Sequence, residues 1–100
     1  MRLGILVNSE QHLPAIIGIT HTAAAGGHQV EIFAMDTGTR LLERPDYVAL
    51  AELAGVTMSF CDHSAKALGV ATTTLSEKIV CSSQFSNAKM NHHADRVITL

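Results

Sequence analysis

One hundred residues with no low-complexity stretch, charge run or Pro/Gly/Ser-rich linker read as a single domain over residues 1–100, short enough that subunit association would add to a thin stability margin. A net charge of −2 without any Lys/Arg cluster excludes the electrostatic footprint of a nucleic-acid binder, and no apolar run approaches a bilayer span, so neither nucleic acid nor membrane is an expected partner. Apolar content of 47% with only 4% aromatics leaves a core of Ala, Val, Ile, Leu and Met, the composition of a helix-covered parallel sheet.

Leu3 to Val7 is a continuous apolar run without alternation, the mark of a strand covered on both faces. It is too short for the core of a secretory signal, so the expected compartment is cytoplasmic, with both cysteines as free thiols. Asn8 or Ser9 can cap a helix that holds Pro14 in its first turn, places Leu13, Ile16, Ile17, Thr20 and Ala24 on one face, and stops at Gly26-Gly27. Gln29 to Met35 predicts a second strand, followed by a turn at Asp36-Thr37-Gly38. Leu41 and Leu42 begin a helical segment that Pro45 interrupts; Tyr47, Leu50, Ala51 and Ala54 then line a second helix ending at Gly55. Val56 to Cys61 is the third strand, Ser64 to Leu68 a short helix closed by Gly69, and Thr72 to Thr74 a loop. Lys78 to Cys81 is a short fourth strand, after which Ser82 or Ser83 caps a helix to about Asn91; Asp95 to Leu100 closes the chain as a fifth strand. Strand and helix alternate throughout. The pattern predicts a three-layer α/β/α sandwich around a mostly parallel sheet of about five strands.

In such sheets ligands gather at the carboxyl ends of the strands. Those ends carry Asn8 and Ser9; Asp36; Cys61, Asp62, His63 and Ser64; and Cys81, Ser82, Ser83 and Gln84. Both cysteines thus fall on the same edge, and Cys61 stands where a strand stops and a helix begins. Helix-start amides lack intrahelical partners and carry partial positive charge, which favours a thiolate. Cys61 reads as a candidate nucleophile or as a buried strand-end thiol. His63 reads as its partner or base, or as a solvated loop residue. A carboxylate at Asp62 opposes thiolate formation unless it turns away. Cys81 reads as a strand-end packing residue, a second acceptor or a resolving thiol. Ser64 is a cap, and Gln84 can donate to an anion.

No GxGxxG follows the first strand and no P-loop is present, and the Cys61 to Cys81 spacing fits neither CxxC nor a zinc knuckle, so no cofactor is implied. The six histidines read as surface or interface residues, because adjacent His92 and His93 cannot both face one ion on a helix.

Several pieces read together: Ala25 to Phe33 (Ala-Gly-Gly-His-Gln-Val-Glu-Ile-Phe), Asp36 with Gly38, Ser59 to Gly69 (Ser-Phe-Cys-Asp-His-Ser-Ala-Lys-Ala-Leu-Gly), and Ala94 to Ile98 (Ala-Asp-Arg-Val-Ile). On these the chain resembles the DsrE/DsrF-like family, which includes sulfur-relay subunits, over nearly its whole length. The resemblance implies a compact α/β/α domain in trimers or hexamers, or in hetero-oligomers with related subunits. It also implies a small sulfur carrier of sulfurtransferase type. In that role Cys61 accepts sulfane sulfur as a persulfide from a donor protein and passes it to an acceptor; the residue types themselves, rather than the resemblance, offer His63 as the group that assists the thiolate. The competing expectation is a noncatalytic module that binds a small anionic ligand or a soft metal at the same edge, through Asn8, Asp36, Cys61 and Gln84. A third is a structural subunit whose cysteine is vestigial.

Overall fold

Parallel strands cannot be joined by tight turns, so every connection in this chain must cross a face of the sheet. The computed structural model describes residues 1–100. Strands β1 (Arg2–Val7), β2 (Gln29–Ala34), β3 (Val56–Cys61), β4 (Ile79–Ser82) and β5 (Arg96–Thr99) form one sheet ordered β4-β3-β2-β1-β5, with every neighbouring pair parallel. From β1 to β4 the chain steps one strand at a time in one direction. Right-handed crossovers then put all three connections on the same face. The last step returns from β4 across the sheet to β5, in the opposite direction, so its helix takes the other face.

The first face is the main core. Ile5, Ile32, Met58 and Ile79 pair across the sheet in one row, and with Val7, Val30, Ala34, Val56 and Phe60 they pack beneath Leu13 and Ile16, Leu41 and Leu42, Tyr47 and Leu50, and Ala65. These come from α1 (Leu13–Ala25), a 3-10 segment (Asp36–Glu43), α2 (Pro45–Val48) with its 3-10 extension (Ala49–Glu52), and α3 (Asp62–Ala67). The second face carries only α4 (Gln84–His93), whose Met90 meets Phe33 and Cys61, with Leu6, Met35 and Val97 at the margin. Toward β4 this second face is bare: Thr57 and Val80 are exposed there.

Local chemistry explains where the elements depart from expectation. Helix α1 starts at Leu13 rather than being capped by Asn8 or Ser9. The Asn8 amide instead bonds Leu100 O at 3.3 Å, prolonging the β1–β5 pairing, and Ser9 Oγ accepts the Gln11 amide at 3.1 Å. Gly27 closes the helix at φ +81°, a conformation that favours glycine. Pro45 divides the two helical segments as expected: it lacks an N–H and holds Arg44 extended, which ends the 3-10 segment before it, and it opens α2 at the first helical position. Leu53 is also extended, which turns Ala54 out to solvent. Gly38 is needed for space rather than for turn geometry. A Cβ there would collide with the Val7 carbonyl, against which the segment starting at Asp36 is pressed. Helix α3 begins at Asp62, two residues earlier than expected, and β4 is shifted one residue onward.

Candidate functional site

The fold singles out one crevice. Helix α3 leaves β3 toward the main core and α4 leaves β4 toward the opposite face, so the carboxyl ends of these neighbouring strands are where successive helices diverge. The opening there, about 810 Å³, is lined by Met35 and Asp36 from β2's end, Cys61 to Ser64 and Lys66 from β3 and α3, and Ser82 to Gln84 from β4 and α4. A smaller concavity of about 310 Å³ at the opposite edge, around Arg2, Glu31, Thr57 and His93, contains no cysteine.

Cys61 is the last residue of β3 and the N-cap of α3, with β backbone geometry. The residue is only 3% exposed, yet it lines the crevice. Burial pushes its thiol up. The Ser64 hydroxyl and amide, the Gln84 side chain and the His63 amide outweigh that burial, and the thiol is held below its ordinary value. His63 thus contributes through its main chain, and its side chain is exposed.

The carboxylate of Asp62 faces away from Cys61. Lys66 Nζ binds it at 2.8 Å across one helical turn, holding the carboxyl below the usual range and raising the lysine in return. Its other neighbour is the Cys81 thiol. Cys81 pairs in register with Phe60, so strand alternation puts it on the main-core side of the sheet while Cys61 belongs to the α4 side. Cys81 is exposed at the rim, outside the crevice; desolvation first and the Asp62 carboxylate second push its thiol up.

Of the residues singled out from sequence, the crevice brings together Asp36, Cys61, His63, Ser64 and Gln84; Asn8 and Cys81 lie outside its lining. Ser83 rather than Ser82 caps α4, accepting the Phe85 amide at 3.2 Å. Met35, partly buried beside Phe33 and Met90, has its thioether 3.7 Å from Gln84 Nε2. Lys66 was not singled out, although its four-residue spacing from Asp62 is a visible signal.

Comparison with known proteins bears on this site through the whole chain. The sequence model of the DsrE/DsrF-like family matches residues 1–100. Among solved structures, the chain is similar to the YchN protein of E. coli, with TM-score 0.71, 14% identity, and coverage of 99% of this chain and 97% of that one. It is also similar to MTH1491 of Methanobacterium thermoautotrophicum, a protein of unknown function, with TM-score 0.76, 18% identity, and coverage of 99% and 98%. At these identities the likeness concerns the fold. No curated protein sequence matches the chain.

Proposed function

Because this chain belongs to the DsrE/DsrF-like family, associated generally with sulfur relay between partner proteins, we propose that it is a small sulfur carrier whose Cys61 accepts sulfane sulfur. The observation that carries this reading is the Cys61 thiol itself, held below its ordinary value by Ser64, Gln84 and two helix-start amides in an open crevice. The Cys61 thiolate attacks the terminal sulfur of a donor persulfide. A new S–S bond forms at Cys61, the donor's S–S bond breaks, and the donor thiolate leaves with the electron pair, so no external oxidant or reductant is required. The donors around Cys61 that hold the thiolate are placed to hold the product persulfide anion as well. An acceptor thiolate reverses the step. The proposed partners are therefore a donor and an acceptor protein, in a reducing cytoplasmic compartment. No helix is long and apolar enough to cross a membrane.

The same reading places the domain in a homo- or hetero-oligomer. Support comes from Val80, 55% exposed, and Phe85, 74% exposed, beside the bare half of the second face. Native mass measurement of wild type and Phe85→Ser checks this, with dissociation of the variant as the expected outcome. The competing ligand or metal module has less support: no three His, Cys, Asp or Glu side chains converge into a ligand set, and Asn8 is not part of the crevice lining.

The test is intact mass after exposure to a small-molecule persulfide donor. Gain of one sulfur on wild type and on Cys81→Ser, with none on Cys61→Ser, is expected. No gain on wild type, or a gain that survives Cys61→Ser, contradicts the proposal.

A further inference from the structure

The crevice is walled on one side by Gln84 at the start of α4, the first of a row of carboxamides that runs along that helix. Asn91 Nδ2 donates to Asn87 Oδ1 at 2.8 Å and to Asn87 O at 2.8 Å. Asn87 Nδ2 in turn donates to Gln84 Oε1 at 3.1 Å. Gln84 Nε2 donates to Met35 Sδ, 3.7 Å away, in the crevice that Cys61 also lines, and the Gln84 side chain is among the groups that lower the Cys61 thiol. The three residues stand at positions i, i+3 and i+7 of α4, one stripe of the helix.

A primary amide has two ends of opposite character and can flip between them. Facing Cys61 with its NH2 group, Gln84 donates to a thiolate or a persulfide anion. Facing it with its carbonyl, the same side chain repels either. The Oε1 atom of Gln84 is the acceptor that Asn87 engages, so the Asn87 amide selects the donating orientation, and Asn91 fixes Asn87 in the same sense.

The geometry points to Asn87, supported by Asn91, as a positioning residue that orients the Gln84 amide so that it donates to sulfur at Cys61. This rests on the sulfur-carrier reading for its purpose, but not for its test. The charged and titratable groups facing the crevice from β2's end and α3 are Asp36, Asp62, His63 and Lys66, of which Asp62 and Lys66 pair with each other. None of them is altered in the variants below.

The experiment follows alkylation of Cys61 by iodoacetamide, a neutral probe, across pH in the intact chain, with modification resolved by peptide mass. Gln84→Leu is expected to slow Cys61 alkylation about threefold to tenfold at neutral pH, by loss of a hydrogen bond to a charged sulfur. Asn87→Leu is expected to slow it about twofold to threefold, since the freed amide samples both orientations. In both, the rate at high pH should be unchanged, because access is the same and only the thiolate fraction differs. In the Gln84→Leu background, Asn87→Leu should add nothing.

An unchanged profile for either single variant overturns the assignment. So does an Asn87→Leu effect of equal size with and without Gln84, which would mean a general effect on α4. Failure of persulfide loading with the amide coupling intact would leave the positioning role standing and remove the carrier reading; loading without the coupling would do the reverse.

Discussion

The two cysteines occupy neighbouring strands at the same edge of the sheet, one step apart in register, and their surroundings push them in opposite directions. Cys61 is almost wholly buried, and its thiol is lowered by hydroxyl, amide and carboxamide donors that overcome the burial. Cys81 is exposed, and its thiol is raised by desolvation and by Asp62. Exposure alone would therefore rank them opposite to the directions in which their thiols are shifted. What separates them is the face of the sheet. Cys61 caps a helix start and opens onto the crevice where α3 and α4 diverge, whereas Cys81 meets a carboxylate at the rim.

The contrast can be broken most severely at Gly38. The 3-10 segment it anchors packs against α3, whose first amides face Cys61. Gly38→Ala forces that segment away from the Val7 carbonyl and is expected to cost about 1–3 kcal/mol, read by denaturant unfolding, with Cys61 losing reactivity and Cys81 keeping its own. Ser64→Ala removes the hydroxyl donor alone. About tenfold slower alkylation of Cys61 at neutral pH is expected, with Cys81 unchanged.

Asp62→Asn acts on the other thiol. Because Lys66 holds the Asp62 carboxyl below its usual range, the pair is intact above the ordinary carboxylate range and is lost only as pH falls through the lower folded value. Asp62 is therefore anionic throughout the range where thiols titrate. Its removal should let Cys81 titrate earlier and react about threefold faster near pH 8, narrowing the gap from the Cys81 side. The smallest effect is expected at Tyr47, whose fully buried hydroxyl has no protein partner and is pushed up by burial. Tyr47→Phe should change stability by no more than about 1 kcal/mol and leave both thiol profiles in place.

Much of this was legible in residues. Leu3 to Val7 is apolar without alternation and is a strand with a neighbour on either side; Val56 to Cys61 instead alternates, burying Val56, Met58 and Phe60 and leaving Thr57 exposed, and β3 ends at Cys61 as its sequence implies. The strand-end rule collected Asp36, Cys61, His63, Ser64 and Gln84, which the crevice joins. The same rule grouped Cys81 with them, because it orders residues along a strand but says nothing of face. Face follows from register, and the pairing of Phe60 with Cys81 is set by packing between strands distant in the chain. The orientation of Asp62 was likewise open in the sequence, and it is the ion pair with Lys66 one turn on that fixes it. Asn8 misled for a related reason: it follows β1, and there the chain continues the sheet through Leu100 instead of capping a helix.

Site-resolved alkylation of wild-type protein across pH, with Cys61 and Cys81 followed in the same sample, tests the central claim most directly. The account predicts a Cys61 midpoint below that of an ordinary thiol and a Cys81 midpoint above it. Coincident midpoints, or Cys81 titrating first, would contradict it.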